Sequence, residues 1–443
     1  KRRSAACEKT DRATMWLSLY SYVVVPGALM VAAALLLLAL IEPSVAYRVV
    51  SPKLAPADDG FGAALALLCG ADRRALQNIE VFSRGKDIYD AELAAIAEAK
   101  SSIHLEAFIF REGAASKRFV EALTDRAKAG VKVRLTLDAF GNLGTHDAYF
   151  TELRRAGGKV AWYQPLRWYT LKRYNNRTHR ELLVIDGTVA FMGGAGIADW
   201  WIGDQRKPPW RDTMVRFEGA LVLAAQSVFI ENWLGATGEV LFDPMLFPTP
   251  GRRGDEEGEA PFAFVVSSTP SEARATRARM LLQTMVASAQ KTIRIQTPYF
   301  VPDRHAIAAL VRALERGVKI DLLFPGKWNN HGGTRLASRA RYGTLLRAGA
   351  TVREYRPSMI HTKAMIVDDV LSVVGSTNWD NRSASLNDEA NLVVESAEVA
   401  ARLGEDFDRD AAESDIITLE AWERRGVVER FGAVFASVFA RQE

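Results

Sequence analysis

The chain has 443 residues, of which 48% are hydrophobic and 25% are charged, and its formal net charge is +4. This composition is typical of a folded protein with room for two domains, and the small net charge gives no argument for a nucleic-acid partner. Two cysteines, Cys7 and Cys69, are too few for a disulfide framework or a zinc site, and six scattered histidines lack metal-ligand spacing, so we infer no metal.

The first predicted element is an apolar helix at residues 15–41, a stretch without a charged side chain. A helix of that length would measure about 40 Å, enough to cross a hydrocarbon core of roughly 30 Å. A cleaved signal peptide is the alternative, since residues 44–46 resemble a cleavage site, but the apolar run is longer than a signal peptide needs. Cations in residues 1–12 precede the run, which predicts a single-pass protein with its catalytic part outside the cytoplasm.

Strand and helix patterns alternate in the predicted first unit, residues 75–242. Residues 103–110 and 131–137 have the composition of strands, whereas residues 91–100 and 117–128 have that of helices. Such alternation predicts a mixed or parallel sheet covered by helices, and therefore an α/β fold.

Within this unit, residues 154–180 contain no acidic side chain but eight Lys or Arg residues and five aromatic residues. This mixture suits an anionic, interfacial substrate such as a phospholipid. A solvated loop whose aromatic side chains fill the core explains the same pattern, and single-stranded nucleic acid could use it too. The apolar N-terminal run favours the lipid.

A stretch rich in Pro, Gly and charge, residues 243–261, is the predicted linker to a second unit at 262–425. The final residues, 426–443, place apolar side chains near helical spacing with arginines between them. They predict a C-terminal amphipathic helix that packs on the core.

The most informative stretch is residues 359–381, MIHTKAMIVDDVLSVVGSTNWDN. Alternate residues of a strand face the same way, so His361 and Lys363 would project together, giving an imidazole beside a fixed cation. A nucleophile or proton donor next to a phosphate anchor is what phosphodiester chemistry needs. A lone His-x-Lys is more often an ordinary surface pair, but here the spacing continues as His-x-Lys-x4-Asp-x6-Gly-Ser through Asp368 and Ser376. The stretch resembles the HKD motif of the phospholipase D superfamily.

An imperfect copy of this motif lies at residues 178–200, THRELLVIDGTVAFMGGAGIADW. His179 and Asp186 stand 182 residues before their counterparts, and flanking segments repeat with offsets of 187 to 192. The chain therefore contains two copies of one α/β unit. The copy departs from the motif at Glu181, which replaces the lysine, and at Gly194, which replaces the serine.

The resemblance, which extends to bacterial cardiolipin synthases in the PYFVPD loop at 298–303, implies two tandem units packed as a pseudo-two-fold sandwich. His179 and His361 would meet in one cleft of a single chain. By analogy with the family, His179 attacks phosphorus to form a phosphohistidine and His361 protonates the leaving alcohol, without a cofactor. The location implied is the bacterial inner membrane.

The resemblance also assigns supporting roles. The carboxylates of Asp212 and Glu389 would orient the imidazoles. The phosphate would be bound by Lys363, Ser376, Asn378 and Gly194. Asp186 and Asp368 would belong to the framework.

Glu181 leaves three interpretations open: Lys363 and arginines such as Arg177 or Arg180 supply the positive field, the carboxylate binds an acceptor hydroxyl, or activity has been lost. Reversing a charge about 4 Å from a phosphate turns an attraction of roughly 4 kcal/mol into a similar repulsion. Because the rest of the framework persists, we favour an active enzyme.

We therefore expect a membrane-anchored phosphatidyltransferase that acts on anionic phospholipids, with cardiolipin synthesis from phosphatidylglycerol as the leading hypothesis. The alternatives are a phospholipase D-type hydrolase and a weakly active or inactive phospholipid-binding protein. A nuclease is less favoured, and no nucleic-acid partner is expected.

Overall fold

The computed structural model describes residues 20–40, 47–50, 54–166, 175–204, 207–247, 261–270 and 276–426, together with residues 429 and 432. The chain divides into an N-terminal unit, residues 1–44, and a second unit that begins at Val45 and holds both predicted repeats. Of the predicted features, Cys7, the cleavage-like site at 44–46, most of the linker and nearly all of the C-terminal helix lie outside the described residues.

The N-terminal unit contains a π-helical segment at Tyr20–Val24 and an α-helix at Val25–Leu40. The membrane-spanning helix predicted at residues 15–41 is not confirmed, because none of the helices in the described ranges is both long and apolar enough to cross a bilayer. The α-helical part has 16 residues and is therefore only about 24 Å long.

The described residues before the predicted linker contain eight strands. In chain order they are β1 (Arg74–Ala75), β2 (Gln77–Arg84), β3 (Ser102–Ala107), β4 (Lys132–Asp138), β5 (Lys159–Tyr163), β6 (Leu182–Ile185), β7 (Val189–Gly193) and β8 (Arg211–Glu218). The strands after the linker are β9 (Phe262–Ser268), β10 (Thr292–Gln296), β11 (Phe300–Val301), β12 (Lys319–Pro325), β13 (Thr351–Tyr355), β14 (Ala364–Val367), β15 (Leu371–Gly375), β16 (Trp379–Asp380), β17 (Glu389–Glu395) and β18 (Ser414–Ile416).

Helices cover the outer faces of the sheets. The α-helices are Phe61–Leu68, Gly85–Glu98, Ala114–Lys128, Thr151–Arg155, Val222–Thr237, Arg277–Ser288, Arg304–Glu315, Gly332–Arg347, Asn381–Ser385, Ala397–Ala412 and Leu419–Glu423, with short 3-10 helices at Asp147–Phe150 and Asp199–Trp201. A side-chain cap explains where some of them start. The Asp303 carboxylate, for example, accepts hydrogen bonds from the N–H groups of His305 and Ala306 and caps the helix that begins at Arg304.

Two sheets repeat one strand order. The first runs β2-β8-β7-β6-β3-β4-β5, and the second contains the matching series β9-β17-β15-β14-β10-β12-β13, with β1 and β18 added at its ends. In each series the last three strands are parallel and the other neighbours are antiparallel. The predicted duplication of a mixed α/β unit is confirmed.

One hydrophobic core is shared by the two sheets. It contains Val184 and Met192 from the first sheet and Ile366 and Leu392 from the second, all buried. The inner strands bury both of their faces, which is why β6 and β14 read as uninterrupted apolar runs and not as alternating ones. This shared core joins the two sheets that carry the two motifs.

Asp186 and Asp368 occupy equivalent hairpin turns, after β6 and after β14. Each has a positive φ of 53°, a conformation that Asp tolerates better than most residues. The Asp186 carboxylate accepts from the backbone N–H groups of residues 100–102, and Asp368 accepts from those of residues 290–292. Both side chains therefore fasten a turn to the start of a central strand, far from the histidines.

Candidate active site

Both motif histidines lie at the same edge of their sheets. His179 comes just before β6, which runs antiparallel to β3 with Leu182 opposite Glu106. In the second half Ala364 of β14 lies opposite Gln296 of β10. The histidines are therefore at the edge where the parallel strands end, which is where open α/β sheets usually bind ligands.

Backbone hydrogen bonds join the two halves in reciprocal pairs at this edge. The His179 N–H donates to the Asp388 carbonyl at 2.9 Å, and the His361 N–H donates to the Arg211 carbonyl at 2.6 Å. In return, the N–H groups of Asp388 and Arg211 donate, each at 2.9 Å, to the carbonyls two residues before the two histidines. Each motif is thus fixed to the strand that begins next to it in the other half.

The imidazole of His179 is oriented by a carboxylate of the second half. Its Nδ1 lies 3.1 Å from both carboxylate oxygens of Glu389, which is completely buried. The Ser376 hydroxyl donates to the same carboxylate, and Asn387 Nδ2 lies 3.4 Å from it. With its Nδ1 proton held by the carboxylate, the neutral ring has its lone pair on Nε2.

The arrangement is repeated, with the halves exchanged, at His361. Its Nδ1 lies 2.8 Å from Asp212 Oδ2, which also accepts from the Trp201 indole N–H at 3.0 Å. The Thr213 N–H donates to Asp212 Oδ1 at 2.8 Å. Burial raises the pKa of Asp212, but the charge of Lys363 and the contacts with His361 outweigh it, so the pKa lies below its usual value.

Lys363 lies against the His361 ring. Its Nζ is 2.8 Å from Nδ1, 3.3 Å from Nε2 and 3.1 Å from the carbonyl of the same histidine. Burial and then the charge of Lys363 lower the pKa of His361 to about 4, although Asp212 opposes them. The ring is therefore neutral at neutral pH. His179 also contributes to this lowering, so the two imidazoles are close enough to interact electrostatically.

Glu181 occupies the position of the missing lysine and is buried. Its Oε1 accepts from the N–H groups of Phe108 at 3.2 Å and Ile109 at 3.3 Å, just beyond the end of β3. Burial raises its pKa well above the usual value, while the charge of Lys363 and these two hydrogen bonds act in the opposite direction. The substitution therefore puts a carboxyl group within the field of the Lys363 ammonium.

The glycine at position 194 leaves space for Lys363. A Cβ atom there would lie 2.5 Å from Asp212 Oδ1 and 3.1 Å from Lys363 Nζ. The Gly194 N–H, predicted to bind phosphate, already donates to the Thr213 carbonyl at 3.1 Å, because it continues the pairing of β7 with β8. Its carbonyl lies 3.3 Å from Lys363 Nζ. The structure thus places Gly194 in the site as a spacer and as an acceptor for the ammonium.

Of the other predicted phosphate ligands, Ser376 is held by Glu389, whereas Asn378 retains bonding capacity. Asn378 is buried, and its Oδ1 has no hydrogen-bond partner among the described residues. The position 182 residues earlier is Gly196, where a Cβ would lie 3.0 Å from Glu181 Oε1. The second motif therefore contributes polar side chains to the site at two positions where the first motif has glycine.

The cations of the basic and aromatic segment 154–180 are less available to a ligand than the sequence suggests. Each cation of the segment that falls within the described ranges contacts a carboxylate: Arg154 with Asp147, Arg155 with Glu152, Lys159 with Glu239, Arg177 with Asp138 and Arg180 with Glu231. The guanidinium of Arg180 is completely buried. Arg177 and Arg180 therefore do not stand free to replace the missing lysine. The other members, Arg167, Trp168, Tyr169, Lys172, Arg173 and Tyr174, lie outside the described residues.

Two side chains near the histidines were not predicted. Trp201 binds Asp212, as described above, but the equivalent position of the second repeat is Ser383, so comparison of the repeats gave no signal. Asp380 is buried and accepts from the Ser383 N–H at 2.7 Å, and burial raises its pKa to about 6. Within the described ranges, the structure contains no group of three or more His, Cys, Asp or Glu residues arranged to hold a metal ion.

Comparison with known proteins relates this site to lipid enzymes. The sequence matches the family described as cardiolipin synthase, PLD-like domain, at residues 93–205 and 282–411, one match in each half. It is 34% identical over 352 residues to the major cardiolipin synthase of Bacillus subtilis, covering 79% of this chain and 72% of that protein. It is 31% identical over 356 residues to cardiolipin synthase 1 of Staphylococcus epidermidis, covering 80% of this chain and 71% of that protein.

The fold is also similar to a solved structure. The crystal structure of phosphatidylserine synthase from Haemophilus influenzae matches with a TM-score of 0.67, covering 86% of this chain and 99% of that chain. Sequence identity to it is 15%, so this likeness concerns the fold alone.

Proposed function

Because the chain belongs to the cardiolipin synthase family of proteins with phospholipase D-like domains, we propose that it makes cardiolipin from phosphatidylglycerol. It is a phospholipase D-type phosphatidyltransferase. The observation that carries the proposal is the pair of crossed couples, His179 with Glu389 and His361 with Asp212, held in one chain by both repeats.

In the proposed first step, Nε2 of His179 attacks the phosphorus of one phosphatidylglycerol. A P–N bond forms, the P–O bond to the headgroup glycerol breaks, and His361 donates a proton to the departing oxygen. In the second step the free headgroup hydroxyl of another phosphatidylglycerol gives its proton to His361 and attacks phosphorus. A new P–O bond replaces the P–N bond, so two phosphatidylglycerols give one cardiolipin and one glycerol.

Lys363 is the proposed phosphate anchor, because its ammonium lies beside the His361 ring. A bound phosphodiester carries a negative charge, which would offset the charge of Lys363 and raise the pKa of His361 from about 4. Binding of the donor would then prepare His361 to act as an acid. Asn378, with its unpartnered Oδ1, is suited to accept from the acceptor hydroxyl.

We further propose that the enzyme works at the bacterial inner membrane, attached through its apolar N-terminal segment, with a body made of units 75–242 and 262–425 around an approximate two-fold axis. The reciprocal hydrogen bonds between the halves support the two-fold packing. Resistance of the full chain to extraction from membranes at alkaline pH would test the attachment, and release under those conditions would contradict it.

Product analysis tests the reaction. The purified full chain in phosphatidylglycerol vesicles is expected to release glycerol and cardiolipin in equal amounts, and His179→Ala is expected to release neither. Phosphatidic acid in place of cardiolipin would identify a hydrolase that uses water as acceptor. Vesicle binding without either product, unchanged in His179→Ala, would identify a binding protein and overturn the proposal.

A further inference from the structure

Five large apolar side chains are exposed on loops at the edge of the two sheets where the histidines lie, which we take as the entrance to the site. They are Phe140 (46% exposed), Leu143 (60%), Leu166 (65%), Ile202 (37%) and Trp328 (38%), and we call them the apolar rim. We propose that the apolar rim is the surface with which the catalytic unit enters the headgroup region of a phospholipid bilayer. This inference rests on the proposed function, because it assumes that donor and acceptor are both lipids.

On the side of His179, the rim is built by the loop that follows β4. Asn142 Nδ2 donates to the Phe108 carbonyl at 3.0 Å, and a Cβ at Gly141 would lie 2.8 Å from the Phe108 ring. The Phe108 ring in turn meets the His179 ring edge-on, with centroids 5.2 Å apart. Phe140 and Leu143 flank these two loop residues, so the loop that carries them packs against the residue whose ring meets His179.

Leu166 and Ile202 continue the rim. Leu166 lies two residues after Gln164, whose carbonyl accepts from Arg177 Nη1 at 3.0 Å, and Arg177 is two residues before His179. Ile202 follows Trp201, whose ring centroid lies 5.6 Å from that of His361. Ile202 is thus adjacent to a residue that contacts His361, and Leu166 lies on a segment bonded to the residue two before His179.

On the side of His361, the loop after β12 mirrors the loop after β4. The Tyr299 ring lies edge-on to His361 at 6.3 Å, and its hydroxyl bonds with Asn330 Oδ1 at 3.0 Å. Trp328 belongs to the same loop, and Lys327 Nζ lies 5.6 Å from its ring centroid. The two loops therefore present exposed apolar side chains on both sides of one entrance.

The chemistry of the rim fits a bilayer surface. Exposed Trp and Leu side chains next to cations favour the membrane–water interface, where rings lie at headgroup level and Lys or Arg meets anionic lipid. Lys327 supplies a cation on one side, and Arg111, beside Gly144 at 3.5 Å from its Cβ position, supplies one on the other. A protein partner seated on the same rim would close the entrance to lipid, which is why we assign the rim to the bilayer.

Phe242 provides a matched control. It is 90% exposed and precedes Asp243, whose carboxylate lies 2.9 Å from Lys132 Nζ at the start of β4. The histidines lie at the edge where β4 ends, so Phe242 is at the opposite edge of the sheet. It shares the exposure and apolar character of the rim but not its position.

Site-specific labelling tests insertion directly. Leu143→Cys, Leu166→Cys and Phe242→Cys would each be made in the full chain carrying Cys7→Ser, and labelled with an environment-sensitive fluorophore. The native Cys69 is buried, and burial raises its pKa to about 12, so it should not react. In phosphatidylglycerol vesicles, nitroxide-labelled lipid is expected to quench the labels at 143 and 166 at least twofold more than the label at 242. Equal quenching at the three positions would overturn the proposal.

Activity provides a second measurement that separates the two proposals. The double variant Leu143→Ser with Trp328→Ser is expected to lower the ratio of turnover on vesicles to turnover on monomeric short-chain phosphatidylglycerol by about tenfold. Phe242→Ser should leave this ratio as it is. An unchanged ratio in the double variant would contradict rim insertion. If no variant and no native enzyme makes cardiolipin from either substrate, the proposed function fails, while the quenching experiment still decides the rim.

Discussion

Asp212 and His361 come from different repeats, yet Asp212 Oδ2 lies 2.8 Å from His361 Nδ1. Glu389 and His179 show the same relationship with the repeats exchanged. Since a carboxylate fixes which ring nitrogen carries the proton, each repeat determines the reactivity of the other's imidazole.

Replacing Asp212 with asparagine tests this dependence. Asp212→Asn is expected to lower kcat by about 100-fold or more with little change in KM, because the amide no longer favours an imidazolium at His361. Steady-state kinetics on phosphatidylglycerol measure the effect. Asp243→Asn, at an exposed carboxylate on the opposite edge, is the control and should leave kcat unaffected. Equal kinetics in both variants would argue against the assigned role.

The two positions of the motif lysines should contribute unequally. Lys363→Ala removes an ammonium worth roughly 4 kcal/mol to a phosphate at about 4 Å, so turnover is expected to fall by about 1,000-fold. Glu181→Ala should cost no more than about tenfold, since the carboxyl is turned towards the backbone of Phe108 and Ile109. Both are measured as kcat/KM. Losses of the same size would contradict an asymmetric phosphate anchor.

Charge and hydrogen bonding at Glu181 can be separated. Glu181→Gln keeps an oxygen that accepts from the Phe108 and Ile109 N–H groups, so the free energy of unfolding should change by less than about 1 kcal/mol. Glu181→Lys leaves both donors without that acceptor and buries a second ammonium near Lys363. We expect it to lower the unfolding free energy by about 2–4 kcal/mol, and to lower turnover as well. Denaturant titration and kinetics measure these effects, and a more active Glu181→Lys enzyme would show that the carboxyl only weakens phosphate binding.

Restoring the family's serine at position 194 should be harmful here. The Cβ of Gly194→Ser would lie 2.5 Å from Asp212 Oδ1, so the carboxylate or Lys363 has to move. We expect turnover to fall by about tenfold or more, because small displacements of catalytic groups are costly. Gly426→Ser, at an exposed position where a Cβ would have nothing within 4 Å and the backbone φ is not positive, is a control for the substitution itself and should retain turnover. Full activity of Gly194→Ser would mean that the site relaxes freely around this position.

The low pKa of His361 predicts a pH dependence of stability. The folded-state pKa of about 4 lies below the ordinary 6.5, so the unfolded chain binds the proton more tightly. The stabilising contribution is complete above about pH 6.5 and is lost as the pH falls towards 4, and the loss in the free energy of unfolding amounts to about 3 kcal/mol. His361→Asn should therefore lose less stability than the native protein between these pH values, as measured by denaturant titration. Parallel curves would place the His361 pKa near its ordinary value.

The repeat predicted much of this architecture. The constant offset of 182 residues paired His179 with His361 and Asp186 with Asp368, and the structure places each pair at equivalent points of two sheets with the same strand order. The offset is constant because each motif spans one β-hairpin, in which the strand lengths and the position of the turn fix the spacing of the residues.

Features that depend on packing between the halves were not visible. The family resemblance assigned Asp212 and Glu389 to orient the imidazoles, but only the packed structure shows that each contacts the histidine of the other repeat. Trp201 and the pairing of the Gly194 N–H with Thr213 likewise depend on neighbours distant in sequence or on sheet register. The N-terminal helix is a different case, because the described α-helix, Val25–Leu40, covers only part of the predicted run, and residues 15–19 and 41 lie outside the described residues.

The crossed couples also constrain how the two halves can diverge. Replacing Glu389 removes the carboxylate that orients His179, and replacing Asp212 removes the one that orients His361. Loss of the carboxylate in either repeat therefore impairs the histidine of the other repeat. The motif lysine differs in this respect, since an ammonium from either repeat can attract the same phosphate. Within one chain, the first lysine position can therefore hold Glu181 while both histidine–carboxylate couples are present.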